Sequence, residues 1–257
     1  MSRTRSLLLT GACIAATIAQ SGCSSKSRSD GESRIAAWLG PDTVAVAGIQ
    51  LEKFRGSPLS KALPAGWLVA LEPFQQASQA WAAYDGKELL VIARGQFPPV
   101  PPGAVFAGRG LALAGAPNAI KAAEQWHVTG PAGTSRLLEK AEPLRNEPIW
   151  AVIRGDAPLP LHGNGLNFQR ALEFTEYTAV SARWKSGVEL SLTGYCATPQ
   201  KAQELEESLR AMVTLAKKAA RAADLAATLV SVRIGRQQSK VLVSFTAAPA
   251  ILREMLR

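Results

Sequence analysis

The sequence predicts an α+β fold: two related halves of antiparallel β-hairpins with helices packed on one face of the sheet. Three observations lead there. Val180 to Cys196 and Val230 to Phe245 each alternate apolar and polar residues on both sides of a turn, the pattern of a hairpin with one dry face. Apolar strands at Leu111 to Gly115, Val188 to Cys196 and Val241 to Phe245 each run into Ala-Pro or Thr-Pro and a helical pattern, so one strand-to-helix joint occurs three times. An apolar strand ending in Arg-Gly also occurs twice, Val91 to Gly95 and Ala151 to Gly155, about sixty residues apart.

Taken in order, the chain begins with Arg3 and Arg5, an uncharged run from Leu7 to Ala19, and Ser21-Gly22-Cys23. This is the three-part pattern of a secretory leader, too short to span a bilayer as a finished helix. Ser24 to Arg34 contains no apolar residue and cannot bury itself, so it is expected to be a flexible tether with an end-to-end distance of roughly 15 to 20 Å. The expected organisation is a leader over 1–22, a tether over 23–34, and a single body over 35–257 whose halves run from about 42 to 130 and about 147 to 257. Within the body, Ile35 to Leu39 predicts a short helix stopped by Gly40-Pro41. Val44 to Ile49, Leu89 to Ala93 and Ile149 to Ile153 predict strands covered on both faces. Short helices are expected at Leu59 to Leu63, Asn118 to Trp126, Leu137 to Ala141 and Leu166 to Leu172. After Thr198-Pro199, residues Ala202, Leu205, Leu209, Met212 and Ala216 form one apolar stripe, with Glu204, Glu206 and Glu207 at its positive end and Lys217, Lys218 and Arg221 at its negative end. A last helix is expected through Ile251, Leu252 and Met255.

The leader and its closing Ser21-Gly22-Cys23 resemble a bacterial lipoprotein signal, although Gln20 stands where such signals carry Leu or another aliphatic residue. The resemblance implies that Cys23 receives lipid and becomes the new N-terminus. Ser24, rather than the Asp of an inner-membrane retention signal, then points to the periplasmic face of the outer membrane. The stretch Pro41 to Gly48 with Phe54 to Leu59 is similar to the start of uncharacterised bacterial envelope lipoproteins. It covers about the first third of the chain and implies no activity.

Composition narrows the partners. The chain carries +9, and loss of Arg3 and Arg5 with the leader leaves 27 basic against 20 acidic residues, or +7. That favours anionic lipid or wall polymer. The charges are scattered, with no basic stripe interleaved with aromatics, so nucleic acid is not expected as a partner. Three cysteines leave only Cys196 in the body, so no internal disulfide is possible, and its place in the strand alternation predicts an inert thiol.

Catalytic and cofactor motifs are not found, and no cofactor or metal is expected. His127 and His162 lack further ligands at usable spacing. Gly108-Arg109-Gly110 and Gly163-Asn164-Gly165 lack the third glycine of a dinucleotide loop and read as turns. Glu204, Glu206 and Glu207 open an exposed helical turn, without the burial that acid catalysis needs. The candidate site is instead an anion-binding pair, Arg94 and Arg154, at the roots of two proline-rich loops, 96–103 and 156–163. The expected role is binding or structural, as a membrane-anchored partner of an anionic envelope polymer or another envelope protein. The alternative is an exported hydrolase whose site forms only in three dimensions, which a deep cleft holding Cys196 or a histidine beside a carboxylate would favour.

Overall fold

The computed structural model describes residues 35–62, 74, 76–97, 104–108, 110–130, 135–160, 165–184, 187–247 and 251. The leader, Cys23, the tether, His162, Gly163-Asn164, residues 98–103 of the first proline-rich loop and 161–163 of the second lie outside these, and the last helix is described only at the buried Ile251.

Ten strands form one antiparallel sheet: β1 Ala45–Gln50, β2 Ala77–Tyr84, β3 Leu89–Gly95, β4 Ala104–Gly108, β5 Leu111–Gly115, β6 Ile149–Arg154, β7 Tyr177–Trp184, β8 Val188–Tyr195, β9 Arg233–Gln237 and β10 Lys240–Ala247. Their order is β4-β5-β3-β2-β1-β6-β7-β8-β10-β9. Read outward from the centre, each set of five has its first, second, third, fifth and fourth strand in turn. The sets meet edge to edge at β1 and β6. By this order β6 corresponds to β1, and β3 to β8. The Arg-Gly echo links β3 with β6, which are not equivalent strands, so it does not mark the repeat.

The helices are α1 Leu51–Arg55, α2 Pro58–Ala62, α3 Pro117–Thr129, α4 Ser135–Ala141, α5 Gly165–Leu172, α6 Pro199–Ala219 and α7 Ala223–Ser231. Residues paired across an antiparallel sheet point to the same side, so the register assigns the faces. Val46, Trp81, Ile92, Leu113, Trp150 and Val152 share one face. It is buried by Ala123 of α3, Leu137 and Ala141 of α4, and an N-terminal turn carrying Ile35, Trp38 and Leu39. The opposite face packs Ala80 and Ala93 against Leu51 and Phe54 of α1, and Val241 against Ala202 and Leu205 of α6. The α+β class stands, with helices on both faces rather than one. The cause is that β1, β3 and β6 carry apolar residues on their second face too, with Ile49, Val91, Ala93 and Ile149 packed around α1, whereas β10 turns Val241 inward and leaves Leu242, Ser244 and Thr246 to solvent.

Two elements differ from expectation for local reasons. Val230 and Val232 do not begin a strand: Val230 ends in α7, where Asp224 in the first turn and Ala223, Ala226 and Ala227 favour a helix, and β9 starts at Arg233. The stripe of α6 is buried at Ala202 and Leu205, but Met212 and Leu215 are 37% and 66% exposed, so its last turns overhang the sheet. Thr198 caps α6 by accepting from the Lys201 N–H at 3.2 Å, with Pro199 at the first helical position. Glu206 is no bystander on this helix, because it accepts from Arg210 one turn on and from Arg236 of β9, and Arg210 also donates to the Ile234 carbonyl.

The two sheet borders contrast. At β4, Ala104–Gly108 carries no charge and leaves Val105 and Phe106 41% and 50% exposed. At β9, Arg233 and Arg236 guard the edge.

The seam between the halves is specific. Gly48 of β1 pairs directly with Trp150 of β6 and, on its other side, with Trp81 of β2. A Cβ on Gly48 would come within 2.5 Å of the Trp150 ring, so the indole occupies the space that glycine leaves free. Gln50 extends the joint, its side-chain amide donating to the Glu147 carbonyl at 3.2 Å and its backbone N–H to Pro148 at 2.8 Å.

Gly48→Ala is therefore expected to cost about 1–3 kcal/mol by overpacking, and Trp150→Ala about 3–5 kcal/mol by cavity formation. In denaturant unfolding the double variant should be less destabilised than the sum of the two, because removing the indole makes room for the new methyl. Strict additivity would show that the two do not share that space. Glu206 provides a second test. Its carboxyl is held below the ordinary glutamate value by the hydrogen bond from Arg210 first and Arg236 second. A depressed folded pKa gives stability that is present at neutral pH and lost as pH falls through that value. Unfolding midpoints of wild type and Glu206→Gln should thus differ at neutral pH and converge under acid conditions, whereas a pH-independent gap would exclude the ion pairs as its source.

Candidate functional site

Arg94 and Arg154 do not form one site. Arg94 closes β3, opposite Gln79, which is itself opposite Gln50 beside Pro148 at the start of β6. Arg154 closes β6 at the other end, where its N–H donates to the Val44 carbonyl. The strands run in opposite directions, so the two arginines are separated along the strands by six residues, roughly 20 Å, and across the sheet by three strand spacings, roughly 14 Å. The expected shared cleft fails because an even-looking sequence echo says nothing of strand direction. Arg154 also has its own partner: Nε and one terminal nitrogen donate to the two Asp156 carboxylate oxygens at 2.8 and 2.5 Å. That bonding raises the Arg154 pKa and lowers that of Asp156.

What surrounds Arg154 was not legible in the sequence. Cross-strand pairs Arg154–Tyr177, Tyr177–Tyr195 and Tyr195–Lys240 set four side chains in a row over β6, β7, β8 and β10. In register they share the face of Val152. Lys140 reaches the row from α4, its Nζ 4.9 Å from the centroid of the Tyr195 ring, and Lys240 Nζ is 5.2 Å from the same centroid. Each contact has the geometry of a cation–π interaction. The alternation of β8 assigns Tyr195 to the wetter face, but no spacing in the chain connects Lys140 with it.

The remaining candidates have structural explanations. His127 stacks on Trp38 with centroids 3.9 Å apart and planes 4° from parallel, which fixes α3 over the N-terminal turn. Gly108 and Gly110 have φ of 81° and 74°, as a turn between β4 and β5 requires. A narrow crevice lies between α4 and the sheet, lined by Ile35, Val46, Trp81, Leu138, Ala141, Arg145 and Trp150. Its one charged group, Arg145, is paired with Glu142. Among the described residues no three His, Cys, Asp or Glu side chains are grouped to hold a metal ion, and no helix is long and apolar enough to cross a membrane.

Cys196 follows β8 directly, 5% exposed, between Ala202, Leu205 and Val241. Burial raises its pKa, with Lys201 opposing and Glu176 adding to the shift. A thiol so placed is a poor nucleophile. It is expected to resist a thiol reagent at neutral pH in the native protein and to react fully once unfolded, as labelling followed by mass spectrometry would show. Fast native labelling would revive a nucleophilic role.

No family model matches the chain, and no curated protein matches it. Among solved structures, crystal form III of TP0453 superposes with a TM-score of 0.54 at 8% identity, over 85% of this chain and 95% of that one. Crystal form I of TP0453 gives 0.52 at 7% identity, over 86% and 95%. At such identities the likeness is one of fold alone.

Proposed function

We propose that the protein is a lipid-anchored component of a bacterial cell envelope that acts by binding or as a structural element, without catalysis, at the periplasmic face of the outer membrane. The observation that carries this reading is the N-terminus: a basic start, an apolar run, and Ser21-Gly22-Cys23 followed by an eleven-residue polar stretch. The geometry of the body supports it in two ways. Its one body thiol is sealed beneath α6 rather than presented in a cleft. Its functional-looking polar groups lie along the rim of the sheet instead, a placement suited to a surface partner. Ile35, the first described residue, is buried beside Leu138 and Ala141 on that face, so a lipid on Cys23 would tether the protein with this face within reach of the membrane.

Lipidation predicts a mass increase of the mature chain over the sequence from Cys23 and partition into the detergent phase. Cys23→Ala should abolish both. Retention of an unlipidated chain in the membrane fraction by the Cys23→Ala variant would overturn the anchor.

A further inference from the structure

Tyr195 is the meeting point of two lysines from different parts of the fold. Lys140 comes from α4, which follows the first five strands, and Lys240 opens β10, the last strand of the second set. Their distances to one ring bound the separation of the two ammonium groups at about 10 Å. Among the described residues neither has a carboxylate within salt-bridge distance, although the chain uses such pairs at Arg154, Arg183 and Arg210. The ring attracts each ammonium without neutralising either. An anion beside the ring would meet both charges. Tyr195 and Tyr177 also bring phenol groups to the row, which can donate hydrogen bonds. At the far end Asp156 occupies Arg154, so the free positive charge belongs to the Tyr195 end.

We propose that Lys140, Lys240 and Tyr195 form a recognition site for a phosphoryl group. Lysine ammoniums bind phosphate oxygens as compact point charges, and the arginine of this row, whose fork could take either a phosphate or a carboxylate, is already held by Asp156. Resting on the envelope reading, the fitting source is a lipid headgroup, because the site shares α4 and its sheet face with Ile35, where the tether enters. The site itself does not depend on lipid at Cys23.

The test uses the full chain in a non-ionic detergent. Inorganic phosphate is titrated against chloride at constant ionic strength while the ring resonances of Tyr195 are followed by NMR. Saturable shifts are expected for the wild type. Binding should weaken at least tenfold in Lys140→Gln/Lys240→Gln and stay unchanged in Lys217→Gln/Lys218→Gln, which removes the same charge elsewhere. A second arm compares flotation with vesicles of phosphatidylglycerol and of a phosphate-free galactolipid. Selective loss of phosphatidylglycerol binding by the first variant supports a headgroup as the source, and loss of phosphate binding alone supports a soluble phosphate at the same site. Absence of a saturable shift, or equal weakening in both double variants, would overturn the site in favour of diffuse charge. Failure of lipidation at Cys23 would be read separately by mass and leaves this titration intact.

Discussion

The sheet depends on the absence of one side chain. At the joint of its two five-strand sets, Gly48 leaves a gap on β1 that the Trp150 indole fills from β6, with Trp81 on the other flank. Strand pairing alone specifies neither register nor face, since a slip of one residue exchanges the two sides of a strand. A large ring that fits above only one position removes that freedom. The same indoles form the floor beneath α4 and the N-terminal turn, so the register of the seam and the seating of those elements are settled together.

Much of the architecture could be read from local pattern, and the failures are informative. The β7–β8 hairpin, β10 and the start of α6 obey strong local rules: alternation, a threonine cap and proline at the first helical turn. β2 escaped notice because Ala77–Tyr84 is built from alanine, serine and glutamine around Trp81 and lacks the branched side chains that signal a strand. It is a strand because β1 and β3 pair with it on both sides. The last residues of α7 read as strand because Val230, Val232 and Ile234 alternate by coincidence across a helix end. For β2 long-range pairing outweighed local preference, whereas in α7 the local helix preference of Ala223, Asp224, Ala226 and Ala227 outweighed the alternation.

The site was less legible than the fold for a similar reason. Arg94 and Arg154 look alike in sequence, yet alternating strand direction sends them to opposite ends of the sheet. Tyr195, Lys140 and Lys240 look ordinary in sequence, yet register and the lie of α4 bring them to one ring. A site made from the rims of four strands and one crossing helix leaves no periodic trace, because each residue is separated from the next by a complete element.

The unequal borders of the sheet give it a polarity in growth. A strand arriving at β9 would have to displace water from Arg233 and Arg236, and Arg236 is already engaged with Glu206. One arriving at β4 would meet the uncharged Ala104–Gly108, with Val105 and Phe106 already half-exposed. Among the described residues, misassembly by strand addition in a crowded or partly unfolded population thus has a single point of entry, and chains joined there would stop at a pair, because each buries that permissive border in the act of joining.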